Sequence, residues 1–128
     1  MRMDEKGEIL YKELSYSVVG AAMAVYKEHG FGFFESIYRR SMMIEFRERG
    51  VAAEEEKCVP VYYHGELVGE QRVDILVDGK IILELKVAKA IVSDHVAQAL
   101  HYLTATRLRL AIIVNFGPDG LDTRRIIR

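Results

Sequence analysis

Apolar residues near the start of the chain return every three or four positions. Leu10, Leu14, Val18, Ala22 and Val25 keep one face of a helix predicted from about Glu8 to His29, and Gly30 with Gly32 ends it. The loop "GFGFF" leads into "ESIYRRSMMIEFRERG", a second helix with Glu35 in its first turn and Arg47, Arg49 and Gly50 at its end. After a charged link the helical period gives way to β-branched and aromatic residues in "CVPVYY", a turn at "HGE", and a return strand "LVGEQRVDILV". "DG" at Asp78 and Gly79 turns the chain again into "KIILELKV", a third antiparallel strand. Ser93 is placed to N-cap the helix "DHVAQALHYLTATR", in which Val96, Leu100 and Leu103 form one stripe and His95, Gln98 and Tyr102 another. "LRLAIIVNFG" reads as a strand covered on both faces, and "DTRRIIR" as a final edge strand. The order α-α-β-β-β-α-β-β predicts an α/β fold with a mixed central sheet flanked by helices.

Composition narrows this picture. A chain of 128 residues, 50% hydrophobic and 29% charged, fits a single domain over residues 1–128 with one core, and it shows no repeat, linker or low-complexity tract. "MRMDEKGEIL" lacks the apolar region of a signal peptide, and no apolar stretch approaches the ~20 residues that span a bilayer. A cytoplasmic protein without a membrane partner is expected. Cys58 is the only cysteine, which excludes an internal disulfide and a Cys-rich metal site, and it falls in a predicted strand. The formal charge of −1 gives no general polyanion-binding signature. A nucleic-acid function must therefore rest on a local site.

The segment "KIILELKVAK" holds the candidate chemistry. Side chains alternate along a strand, so Ile82, Glu84 and Lys86 share one face while Ile81, Leu83, Leu85 and Val87 share the other. An amphipathic strand with a solvated ion pair explains this segment alone equally well. Asp74, a single carboxylate inside "RVDILV" on the neighbouring strand, tips the balance, because uncompensated buried charge is expensive. Two carboxylates suit a hard divalent cation such as Mg²⁺, which takes oxygen ligands and is held by one or two carboxylates plus substrate phosphate. Lys86 could then orient the attacking water or neutralise charge as it develops.

These residues resemble a known family. "RVD", followed ten residues after its Asp by "ELK", resembles the D…(D/E)xK signature of the PD-(D/E)xK nuclease superfamily. "GFFESIY", with Gly32, Glu35 and Tyr38, is similar to the pattern that names the GxxExxY protein family within it. Gln98 and Tyr102 in "QALHY" resemble the QxxxY motif of RecB-like nucleases, and Asn115, Phe116 and Gly117 stand where the family carries an "INFG"-type ending. The likeness runs over roughly residues 10 to 127, with one departure: the superfamily's proline before the Asp is Val73 here. It implies a restriction-endonuclease-like fold with an αβββαβ core. Asp74, Glu84 and Lys86 would be catalytic, and Glu35, Asp74 and Glu84 would hold Mg²⁺ or Mn²⁺. Gln98, Tyr102 and Tyr38 would support the site or bind substrate.

The implied activity is metal-dependent hydrolysis of DNA or RNA. The alternatives are a non-cleaving nucleic-acid-binding or scaffold protein on the same fold, and a nuclease subunit needing a homodimer mate or partner protein to hold substrate. Other residues are less specific. Glu35 also suits a first-turn acid favoured by the helix dipole. His95 shares the stripe of Gln98, but His64 and His101 lie elsewhere. Arg39, Arg40, Arg47, Arg107, Arg109, Arg124 and Arg125 would contact phosphate only if clustered beside the site.

Register supplies a geometric expectation. A two-residue "DG" turn would pair Val77 with Lys80 and Asp74 with Leu83, setting Asp74 and Glu84 on opposite faces. A three-residue loop, Val77-Asp78-Gly79, instead pairs Asp74 with Ile82 and leaves Glu84 opposite Arg72, with both acids on one face. A shared metal site requires an odd-length loop or an equivalent bulge.

Overall fold

The computed structural model describes residues 9–128, so the predicted helix start at Glu8 lies outside the described residues. The elements are α1 (Lys12–His29), α2 (Glu35–Glu48), β1 (Ala53–Tyr63), β2 (Glu66–Val77), β3 (Ile81–Lys86), α3 (Ser93–Thr106), β4 (Leu110–Gly117) and β5 (Gly120–Ile127), in the order expected. The five strands form one sheet in sequence order, antiparallel except for the parallel pair β3 and β4, which α3 connects.

Three local expectations are corrected. The charged link is strand: β1 begins at Ala53, opposite Val77, and as an outer strand it carries Glu54, Glu55 and Glu56 into solvent and tolerates Pro60. Ser93 is the first helical residue of α3, with Val92 at the N-cap; the Val92 N–H is taken by Nδ1 of His95 at 3.1 Å. Leu100 is exposed, because the helix rests on Val96, Ala99 and Leu103, with Tyr102 partly buried beside them.

The core has two layers. Val18, Ala22 and Val25 of α1 and Met42 and Phe46 of α2 pack on Ile75, Leu83, Leu85 and Val114. On the other face Ala99 and Leu103 of α3 pack on Val73, Ile82, Ala111 and Ile113. All eight residues of β4 are buried, as a strand covered on both faces requires. Each such aliphatic side chain contributes ~1.5–3 kcal/mol on burial, so the centre of the sheet is where position is held most firmly.

The β2/β3 hairpin meets the geometric expectation by a different register. Val77 pairs with Ile81, Leu76 with Ile82 and Ile75 with Leu83, leaving Asp78, Gly79 and Lys80 between the strands. Asp78 and Gly79 both have left-handed φ (52° and 64°), and the Lys80 N–H reaches the Val77 carbonyl at 2.9 Å. The "DG" turn thus forms as its residues demand, and Lys80 is the extra residue that makes the count odd. The expected pairing of Leu76 with Lys80 would have left Val77 in the turn, whereas here Val77 and Ile81 are both fully buried. Asp74 therefore comes opposite Glu84 rather than Ile82.

Beyond Ile75 the two strands part. Val73 packs in the α3 layer and Ile75 in the α1/α2 layer, so the alternation of β2 breaks at Asp74. Across β1 the same point is marked by Glu56, whose φ is 49° and which is passed over between the pairs Glu55 with Ile75 and Lys57 with Val73.

Candidate active site

The break in β2 frees the Asp74 side chain to turn toward β3. Its Oδ2 accepts the backbone N–H of Leu85 at 2.7 Å, where the ladder has ended and no strand carbonyl arrives. The Asp74 N–H points to Oε1 of Glu84 at 3.4 Å. Two carboxylates therefore meet at a sheet centre where Glu84 is only 5% exposed. Burial first, and the Asp74 charge next, push the Glu84 carboxyl up to about 8, with Lys86 opposing. Burial beside Asp74 therefore favours a proton on Glu84, and added positive charge would oppose it.

Glu35 approaches from α2. Burial holds its carboxyl above the usual carboxylate range and the charge of Asp74 adds to this, while Arg39 and Lys86 pull the other way. Its Oε1 is buried without a hydrogen-bond partner, 3.7 Å from the Arg39 guanidinium. Arg39 is not free for phosphate: it also pairs with Glu55 at 3.3 Å and Glu56 at 3.4 Å. The loop before Glu35 is set by Tyr38, which is fully buried and so lies out of reach of a substrate. Its hydroxyl donates to the Gly30 carbonyl at 2.6 Å and its ring stacks on Phe116 at 4.2 Å. Gly30 and Gly32 take φ of 66° and 119°, which a side chain would resist.

Lys86 ends β3 on the α3 side. Its ammonium donates to Oε1 of Gln98 at 3.1 Å, so Gln98 holds the lysine beside the acids. Tyr102, one turn further on, is close enough that Glu84 and Asp74 add to burial in raising its pKa. His95 is spent on the N-terminus of its own helix. The structure thus brings together Glu35, Asp74, Glu84, Lys86, Gln98 and Tyr102 and sets Tyr38 behind them.

Sequence reasoning gave no role to Asn115, and the structure supplies one. Asn115 pairs with Lys86 across the parallel ladder and is 2% exposed. Its amide accepts the Ala88 N–H and donates to the Ala88 carbonyl, each at 2.9 Å, clamping the chain two residues past Lys86. Gly117 leaves room for this clamp, since a Cβ there would lie 3.2 Å from Asn115 Nδ2 and 3.3 Å from the Ala88 carbonyl. The "NFG" run was the available signal: a polar residue inside a fully buried strand must have a buried partner.

The donor set fits a hard divalent cation. Among the described residues no three His, Cys, Asp or Glu side chains close around a point by themselves. Such an ion keeps several waters, however, and needs only one or two carboxylates. Asp74 and Glu84 supply these, and the unpartnered Oε1 of Glu35 is a further oxygen nearby.

The sequence profile of the PD-(D/E)XK nuclease superfamily matches residues 12–127. Among solved structures, the crystal structure of SSO0001 aligns with a TM-score of 0.57 and 22% identity, over 92% of this chain and 58% of that one, so the chain spans a little over half of its length. The crystal structure of an alkaline exonuclease (LHK-Exo) from Laribacter hongkongensis aligns with a TM-score of 0.49 and 14% identity, over 91% of this chain and 82% of that one. No curated protein matches the chain. The fold is restriction-endonuclease-like: a mixed five-stranded sheet between α1 and α2 on one face and α3 on the other.

Proposed function

Because the chain belongs to the PD-(D/E)XK nuclease superfamily, we propose that it hydrolyses phosphodiester bonds of DNA or RNA at Asp74, Glu84 and Lys86, with Glu35 of α2 and Gln98 and Tyr102 of α3 beside them. The observation that carries this reading is the contact of Asp74 with Glu84 at a buried position. The spacing of Gly32, Glu35 and Tyr38 supports placement in the GxxExxY branch.

A Mg²⁺ or Mn²⁺ ion, when bound, supplies Lewis acidity to the phosphoryl group and to the attacking water. Asp74 and Glu84 would hold it, with Glu35 completing the oxygen set. Asp74 keeps its carboxylate oriented through Leu85, and Glu84 gives up its proton when positive charge arrives. The Lys86 ammonium would lie where charge gathers on the phosphoryl oxygens, so it would stabilise the transition state more than the ground state. Gln98 fixes the ammonium, and Tyr102 offers a hydroxyl to the substrate backbone.

A second reading, a nuclease subunit that borrows its grip on substrate from a homodimer mate or another protein, is favoured by the pairing of Arg39 and Arg72 with Glu55 and Glu56 beside the site. Cleavage assays over single- and double-stranded DNA and RNA with Mg²⁺ or Mn²⁺ test both. Cleavage by wild type and none by Lys86→Ala supports the first reading. Metal binding without cleavage of any substrate would leave the partner-dependent or non-cleaving protein in its place.

A further inference from the structure

Just ahead of Glu35 the chain exposes an aromatic rim. Phe31, Phe33 and Phe34 precede α2 and Ile37 lies in its first turn, and all are exposed, Phe34 most of all at 83%. The backbone that carries them is fixed. The Tyr38 hydroxyl accepts the Phe33 N–H at 3.4 Å while it donates to the Gly30 carbonyl, and the Phe34 carbonyl accepts the Ile37 N–H at 3.0 Å. The Phe33 ring meets His29 edge-on at 5.2 Å and Tyr38 at 6.3 Å, whereas the Phe34 ring has no ring partner among the described residues. Large apolar side chains held in water along one short, ordered loop mark a contact surface.

Its position ties this rim to the acids. Phe34 is one peptide unit from Glu35, ~3.8 Å between Cα atoms, and the Glu35 carboxyl feels the charge of Asp74. A nucleotide whose phosphate lies at Asp74 and Glu84 carries its base one sugar away, on the surface that borders them. The electrostatic hold offered there is small. The chain has a formal charge of −1, and Arg39 is occupied by Glu35, Glu55 and Glu56. An exposed ring offers a hold that does not depend on charge, because it takes the face of any base.

We propose that Phe34 stacks on a base of the substrate strand next to the scissile phosphate, and that the substrate is therefore a strand with unpaired bases. The nuclease reading above supplies the place of the phosphate, and the proposal rests on it. In a duplex each base face is covered by its neighbours, and only an unpaired strand presents one to a protein ring. The contact is tolerant of sequence, since every base has a π-face. A protein seated permanently on the rim is disfavoured, because it would withdraw the neighbouring Glu35 carboxyl, whose Oε1 already lacks a hydrogen-bond partner, further from water.

The test is fluorescence anisotropy in Mg²⁺ with the full chain, using fluorescein-labelled oligothymidylate and an abasic oligonucleotide of equal length, which keeps the phosphates and lacks the bases. Lys86→Ala is the background, so that no strand is cut. Adding Phe34→Ala weakens oligothymidylate binding at least about tenfold and Phe34→Trp keeps it, while the abasic strand and the thymidylate–adenylate duplex bind alike with and without Phe34→Ala. The dependence of affinity on salt is the same in both proteins, since no phosphate contact is lost. The proposal is overturned by undetectable binding, by equal affinity of the two proteins for oligothymidylate, or by an equal loss on the abasic strand. A dimer that Phe34→Ala dissociates without changing oligothymidylate affinity overturns it too, and would make the rim a contact between copies. Cleavage by the chain with Lys86 intact is read separately. Binding that needs both Phe34 and the bases, with no cleavage in Mg²⁺ or Mn²⁺, would support the stacking and remove the nuclease. Lys86-dependent cleavage of single and double strands alike, unchanged by Phe34→Ala, would keep the nuclease and remove the stacking.

Discussion

The Asp74 carboxylate holds the backbone N–H of Leu85 at 2.7 Å, immediately past Glu84. A side chain proposed for catalysis thus also completes the backbone of a buried strand. Asp74→Ala leaves a buried donor unpaired and should destabilise the fold by ~1–3 kcal/mol. Asp74→Asn keeps an acceptor oxygen and should recover most of that loss in a denaturant melt, yet remain inactive in cleavage. If Asn restored cleavage as well, the negative charge of Asp74 would have no catalytic part.

Glu84 makes stability depend on pH in a set direction. Its carboxyl holds a proton up to about 8 in the fold, against 4.5 as the ordinary value. The native state binds more protons than the unfolded chain over that window, so stability is fully present below 4.5, falls as pH rises and levels above about 8. A divalent cation replaces the proton, and its stabilisation should grow from about pH 6 to about pH 8. Glu84→Gln should flatten both dependences in thermal melts. Equal metal-induced shifts of Tm in wild type and Glu84→Gln would exclude this residue as a ligand.

Lys86 and Gln98 should separate binding from chemistry. Lys86→Ala removes the cation but neither proposed metal-holding carboxylate, and cleavage should fall by about 10²-fold or more while the metal-induced Tm shift survives. Gln98→Ala releases the ammonium from its 3.1 Å partner and should give a smaller loss in kcat, with little change in stability at this exposed position. Single-turnover kinetics on the two variants check the order. A Gln98→Ala defect as large as that of Lys86→Ala would mean that the glutamine acts on the substrate directly.

Asn115 should behave as a clamp. Asn115→Ala strands the N–H and carbonyl of Ala88 and is expected to destabilise the protein by ~1–3 kcal/mol. Gly117→Ala presses on the same contact and on the Gly120 carbonyl 3.1 Å away, and should cost a comparable amount. Their effects should fall short of the sum when combined, since both act on one contact. Additive losses would show that the two residues serve separate purposes.

Much of the fold was readable because period and punctuation agreed. Val18, Ala22 and Val25 recur at helical spacing and are buried, and the uninterrupted apolar run of β4 is covered on both faces. The errors arose where tertiary pairing overrode local pattern. Glu54 to Lys57 look like a link by composition, yet β2 continues past them and pairs with Glu54, Glu55 and Lys57. Leu100 looks like core, yet the buried face of α3 runs through Ala99 and Leu103 instead. In the site, Asp74, Glu84 and Lys86 stood out as charges inside apolar strands. The pairing of Asp74 with Glu84 did not, because it depends on where Lys80 falls relative to a turn that its neighbours define. The engagement of Arg39 by Glu55 and Glu56 depends on β1 and was invisible without it.

The hairpin that joins Asp74 to Glu84 also sets when during folding their repulsion is met. Its strands are separated by three residues, and a hairpin of this kind closes in ~1–10 μs. The parallel partner β4 arrives only after α3 has been traversed, a longer and slower closure. The two carboxylates therefore come together while water still surrounds them, and they lose that water only when β4, α2 and α3 settle over the hairpin. The electrostatic penalty falls on this late docking step and not on the first turn. A proton or a divalent cation that removes the penalty should quicken the last stage of refolding and leave the earliest unchanged.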